Sequence, residues 1–143
     1  MTTQPSDAPT GGRGGAVGTY PADWADIAHR IKTSAGWRCI RCGHRHDRES
    51  GHVLTVHHLN GRKDDCEWFN LVALCQRCHL SVQGRVRMDR VWVMLPHSEW
   101  FRPYVAGHYA RKYLGQVLTR DEVEARLDEL LELERSVVLG GAA

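Results

Sequence analysis

No stretch of the chain reaches the roughly 18 consecutive apolar residues that a membrane helix needs. The first twenty residues also lack the apolar core of a secretion signal. Both absences predict a cytoplasmic chain, a setting where disulfides are rare. Internal repeats are missing. So is a strong charge of either sign: the 143 residues carry a net charge of +2, too little to name a partner. What remains is ordinary for a globular protein, 42% apolar and 25% charged, at a length that suits one compact domain with tails.

The charge is unevenly placed. Residues 1–118 hold 16 Lys and Arg against 10 Asp and Glu, whereas residues 119–143 hold 3 against 7. A basic body beside an acidic tail suits a polyanion binder.

Residues 1–19 are rich in Gly, Thr, Pro and Ser, too poor in apolar area to offset the entropy of ordering, and read as a disordered tail. Residues 23–34 read as a helix. Asp23 is placed to cap it, Trp24, Ile27, Ala28 and Ile31 share one face, and Gly36 ends it. Strands are expected at Val53–Val56, running into His57-His58, and within Asn70–Cys75. A helix is expected from Cys78 to about Met88. Val91–Leu95 reads as a short strand. Residues 91–118 form an aromatic-rich extension expected to pack on the core. Thr119 and Glu122 make a capping-box pattern that opens a C-terminal amphipathic helix over 119–139, with a Leu stripe on an acidic background. Residues 140–143 are expected to fray.

Five cysteines need an explanation other than disulfides. Four form Cys39-x2-Cys42 and Cys75-x2-Cys78, with 32 residues between the pairs. A Cys-x-x-Cys turn aims two thiolates at one metal, and two such turns complete the closed four-sulfur site of structural zinc. In a small body such a site supplies folding free energy. Cys66 is left over and is expected to pack as a free thiol.

Within that frame lies a second set: His57 and His58 at the end of a predicted strand, Asn70 at the start of the next, and His79 directly after the fourth cysteine. An imidazole with a pKa near 6.5 can act as a base or a metal ligand around neutral pH. Adjacent strand residues point to opposite sides, so one histidine on a metal and the other on a water is the natural division.

Taken together, Val56-His57-His58-Leu59-Asn60-Gly61, Asp64-Asp65, Asn70 to Cys75 and Cys78-His79 resemble the HNH endonuclease family, over about Trp37 to Gly84. The resemblance implies an α+β fold with a ββα-metal, treble-clef-like core, a structural four-cysteine zinc site and flanking helices, placed here at residues 20–90. It implies a DNA phosphodiesterase that nicks or cuts both strands. His58 would be the general base, and His57 and His79 would hold a single catalytic divalent ion. Asn70 would hold the catalytic loop and orient His58. Small proteins of this kind occur in phages and bacteria. This sequence departs from many relatives in having Gln83, a weak ligand, four residues after His79. That favours Mg²⁺ or Mn²⁺, with water and phosphate completing the shell.

Arg62 and Lys63 in the loop after the histidine pair, and Arg77, Arg85, Arg87 and Arg90 on or past the motif helix, are the expected phosphate contacts on double-stranded DNA. The second reading of the same residues is a non-catalytic zinc module that binds nucleic acid or a protein partner. The C-terminal helix is expected to serve a protein partner or self-association.

Overall fold

The computed structural model describes residues 18–83 and 98–140, apart from the side chains of Val138 and Leu139. The expected strand Val91–Leu95 and the expected contacts Arg85, Arg87 and Arg90 lie outside the described residues. The chain divides into two compact units, Met1–Arg87 and Met88–Ala143. Among the described residues, no helix is long and apolar enough to cross a membrane.

The first unit opens with α1 (Trp24–Ser34). Asp23 stands at its N-cap without the expected side-chain hydrogen bond. Its backbone, at φ −97° and ψ 25°, is not in the extended conformation that turns a capping side chain back onto the helix. Its carbonyl instead accepts from Asp26 and Ile27, at 3.0 and 3.1 Å. The helix closes through Gly36 at φ +66° and Trp37 at φ +56°. Their N–H groups return to Thr33 and Lys32, both at 2.9 Å. The left-handed backbone at Trp37 is unusual for a bulky residue, and it sets the ring edge-on against both His29 and His46.

β1 (Leu54–His58) pairs antiparallel with β2 (Leu71–Cys75), Leu54 opposite Cys75 and His58 opposite Leu71. A single 3-10 turn, Trp68–Asn70, leads into β2. α2 (Gln76–Gln83) follows β2 without a loop, two residues earlier than the sequence suggested. Thr55 and His57 meet α2, whereas His58 meets α1. The two helices therefore cover opposite faces of the sheet. This explains why β2 is buried at every position: it reads as an unbroken Leu-Val-Ala-Leu-Cys run because neither face alternates to solvent. Leu54, Leu59, Phe69, Leu71, Val72 and Leu74 form the centre of this core.

The second unit carries α3 (Arg102–Tyr109), which continues into one π-helical turn, Ala110–Leu114, and stops at Gly115 with φ +66°. The capping box is present: Glu122 donates its backbone N–H to Thr119 Oγ1 at 3.2 Å, and Thr119 donates its own to the Glu122 carboxylate at 2.9 Å. The single helix expected after it is instead α4 (Arg120–Ala125), α5 (Leu127–Leu131) and α6 (Leu133–Gly140). At Arg126 the backbone leaves helical values, and its N–H bonds only three residues back, to Val123. Val123, Leu130 and Glu134 are fully buried. Tyr109 and Tyr113 donate to the two Glu134 oxygens, at 2.9 and 2.6 Å.

Candidate metal centre and histidine cluster

The Cys39–Gly43 turn is closed by Gly43 N–H donating to the Cys39 carbonyl at 2.8 Å and by Cys39 N–H donating to His44 at 3.0 Å. Gly43, at φ +79°, supplies the left-handed residue the turn demands. The Cys42 N–H points at Cys39 Sγ, 3.4 Å away. The other pair straddles a junction: Cys75 is the last residue of β2 and Cys78 lies in the first turn of α2. Ile40 ties the turn to the sheet by donating to Ala73 at 3.0 Å.

All four Sγ atoms lie within 4.8 Å of one another, with Cys42 and Cys75 at 3.9 Å. A tetrahedral ion with Zn–S of about 2.3 Å requires sulfurs about 3.8 Å apart, so the cluster fits zinc. Burial works to raise the Cys39 thiol, but the N–H groups of Cys42, Cys75 and Arg41 outweigh it and bring it down to about 7. Burial pushes Cys78 up to about 12, against a contact from Arg41 Nη1 at 3.4 Å. Three of the four cysteines are buried. Four thiolates this close repel one another without a cation. The donor set and spacing therefore suit a metal such as zinc. Cys66 stays apart, its Sγ 3.8 Å from the Lys63 carbonyl.

The sheet sorts the histidines by face. His57 and His79 meet with ring centroids 4.7 Å apart. Thr55, two residues before His57 and so on the same face, fixes the state of His79. Its hydroxyl donates its one proton to the Leu74 carbonyl at 2.8 Å. The 3.0 Å contact to His79 Nδ1 must then be a ring N–H donation. Neutral His79 is left with its lone pair on Nε2. His57 Nε2 is buried with no hydrogen-bond partner. Burial and the neighbouring imidazoles hold His57 down at about 3, and burial also lowers His79. Two neutral imidazoles thus share one face, one with an orphaned buried nitrogen and one with a fixed tautomer. That is a pair suited to a divalent ion.

His58 sits on the other face. Its ring packs 4.8 Å from Trp24 and 5.8 Å from Tyr20, and only 7% of the residue is exposed. Its Nε2 and Trp24 Nε1 are buried without hydrogen-bond partners. Burial brings the imidazole down to about 4, despite an opposing hydrogen bond to the Lys63 backbone. Asn70 is fully buried and straps the loop after β1. It accepts from Asn60 N–H and donates to Asn60 Oδ1 and the Asp65 carbonyl, each at 2.9 Å. Asn60 Nδ2 completes the strap on Asp65 at 2.6 Å.

The sequence reading brought all four histidine-set residues toward one point. The structure joins His57 with His79, and sets His58 and the Asn70 strap on the side of α1 and the loop. Among the described residues, the group of three or more His, Cys or carboxylate ligands able to share an ion is the cysteine cluster. Gln83 is exposed at the end of α2. Arg62 pairs with Asp64 at 3.2 Å. Lys63 is buried, its ammonium 5.0 Å from the centre of the Tyr20 ring. Arg77 is exposed and donates to the Ser50 carbonyl at 3.1 Å. Sequence reasoning gave no role to Thr55 or Arg41, and it quoted Asn60 and Asp65 without foreseeing their strap on Asn70. Thr55 was findable, because strand alternation puts it beside His57.

No family model matches the chain, and no solved structure matches it. A 60-residue stretch, 42% of the chain, is 35% identical to the Zorya protein ZorE of Escherichia coli. The chain spans only 16% of the length of that relative.

Proposed function

We propose that this chain is a metal-dependent endonuclease of the HNH type, acting on double-stranded DNA. The single observation that carries the reading is the His57–His79 pair, two neutral imidazoles 4.7 Å apart, with His57 Nε2 buried and unpartnered. The order β1, β2, α2, anchored by four cysteines, supports a ββα-metal, treble-clef-like core.

In this reading Cys39, Cys42, Cys75 and Cys78 hold structural zinc. His57 and His79 hold the catalytic Mg²⁺ or Mn²⁺. A divalent ion there supplies charge stabilisation for the phosphate and leaving oxygen. His58 takes the proton from the attacking water at Nε2. The Lys63 backbone occupies the other ring nitrogen, and the low pKa keeps the ring neutral at pH 7. Asn70 acts at one remove, holding the loop that carries Asn60 to Asp65 and therefore the Lys63 backbone.

Plasmid incubated with zinc-loaded protein and Mg²⁺ or Mn²⁺ is expected to be nicked or cut. His58→Ala should slow cutting by roughly 10²–10⁴-fold. Cutting by His58→Ala at the wild-type rate overturns the assignment. The burial of His58 under Tyr20 and Trp24 favours the second reading, a zinc module that binds without cutting. That reading predicts a mobility shift of DNA with no cleavage in any metal.

A further inference from the structure

The eleven residues from Arg38 to Arg48 hold four arginines and one aspartate. None of them figured among the motif residues. Arg38 and Arg45 are direct antiparallel bridge partners, so their side chains emerge side by side from one face of the cysteine turn. Like charges placed directly opposite are destabilising. Local stability therefore gives no reason for the pair.

Arg41 is turned onto Cys78 Sγ and belongs to the sulfur cluster. Of the others, Arg38 donates one guanidinium N–H to the Gly43 carbonyl at 3.2 Å. Arg38, Arg45, Arg48 and Arg77 are exposed, and among the described residues none forms an ion pair. Asp47, the one acid in the run, is engaged by the backbone N–H of Glu49 at 3.0 Å. Arg77 meets the Arg48 end of this run from α2. Its guanidinium donates to the Ser50 carbonyl and lies against Gly51, in the turn where the Gly51 N–H donates to the Arg48 carbonyl. The cysteine turn and α2 thus display four exposed guanidinium groups, from two chain segments, none of which is spent on an ion pair among the described residues.

We infer that this arginine face, Arg38, Arg45, Arg48 and Arg77, is the principal phosphate-backbone contact of the protein on double-stranded DNA. Guanidinium groups suit phosphate through paired N–H donors, and none of these four is already held by an internal ion pair. The inference rests on the nucleic-acid substrate proposed above, but it moves the contact away from the histidine loop. There Arg62 is already paired with Asp64, and Lys63 is buried.

The test is equilibrium binding of a fluorescent duplex of about 30 base pairs to the zinc-loaded full chain, without added magnesium or manganese, across a salt series. Each phosphate contact contributes about 0.9 to the slope of log K against log salt. Arg45→Gln with Arg48→Gln should lower the slope by about 1.8 and weaken binding at least tenfold at moderate salt. Arg45→Lys with Arg48→Lys should keep most of the slope. Zinc content and circular dichroism equal to wild type establish that the variants are folded. An unchanged slope and affinity in the folded Gln variant overturns the inference, as does a wild-type chain that binds no duplex at any salt. Binding that depends on the arginine face, in a protein that never cuts, leaves the inference standing and refutes the endonuclease reading.

Discussion

The two units treat their charge in opposite ways. In the second, Arg102 pairs with Glu99 and Asp128, Lys112 with Glu134, Arg120 with Glu124, Arg126 with Glu129 and Arg135 with Glu132. In the first, Arg62 pairs with Asp64. The second unit satisfies its charges internally and holds together by helix packing around α3. The first leaves Arg38, Arg45, Arg48 and Arg77 exposed, with no ion pair among the described residues, and clusters four sulfurs. Such features lower stability unless a ligand meets them, and that is the pattern expected of a binding surface rather than of a scaffold.

The sharpest way to break this comparison is to remove metal. A strong chelator should unfold the first unit, because zinc on four thiolates is worth roughly 10 kcal/mol or more of folding free energy. The helical signals of the second unit should persist. Resonance-by-resonance loss in NMR spectra of the full chain checks this, and Cys75→Ser should reproduce it. Uniform loss across both units would end the contrast.

Next in size is pH, which should break the two units at opposite ends. Acid protonates the thiolates and releases zinc. The histidines act in the same sense. Their folded pKa values, about 3 for His57 and about 4 for His58, lie below the unfolded value near 6.5. The unfolded chain therefore takes up protons first, and their stabilisation is lost as pH falls below about 6.5. The second unit should yield to alkali. Burial, with the Glu134 hydrogen bonds adding to it, raises the Tyr109 and Tyr113 hydroxyls. Their contribution is complete below about pH 10, the unfolded tyrosine value, and is lost above it. Circular dichroism across pH, with the units followed separately by NMR, checks both limbs.

Within the first unit, Asn70→Ala removes three side-chain hydrogen bonds from a fully buried site and should lower stability by about 3 kcal/mol in urea. The smallest effect belongs to the surface pairs of the second unit. Arg126→Gln, at a pair more than a third exposed, should change stability by under about 0.5 kcal/mol.

Much of the first unit was legible in sequence because its signals are local. Cysteine spacing, the run into His57-His58 and the apolar stretch before Cys75 each act within a few residues. The capping box at Thr119 was legible for the same reason. What the sequence hid depends on long-range packing. Whether Asp23 caps α1 turns on its backbone angles. The breaks at Arg126 and Glu132 interrupt a pattern that reads as one helix. That His58 faces Trp24 while His57 faces His79 follows from strand alternation, yet which helix covers which face does not. Of the arginine face only Arg77 was named from sequence; Arg38, Arg45 and Arg48 were missed because they lie outside the motif, tied to it through the bridge and the Ser50 turn.

The proposed chemistry turns on a division of labour between neighbouring histidines, and the metal dependence of the plasmid-nicking rate tests it most directly. His57→Ala should raise the Mn²⁺ concentration needed for half-maximal rate, while His58→Ala should leave that concentration unchanged and lower the maximal rate. Nicking that responds identically to both substitutions, or that persists at the wild-type rate in either, would contradict it.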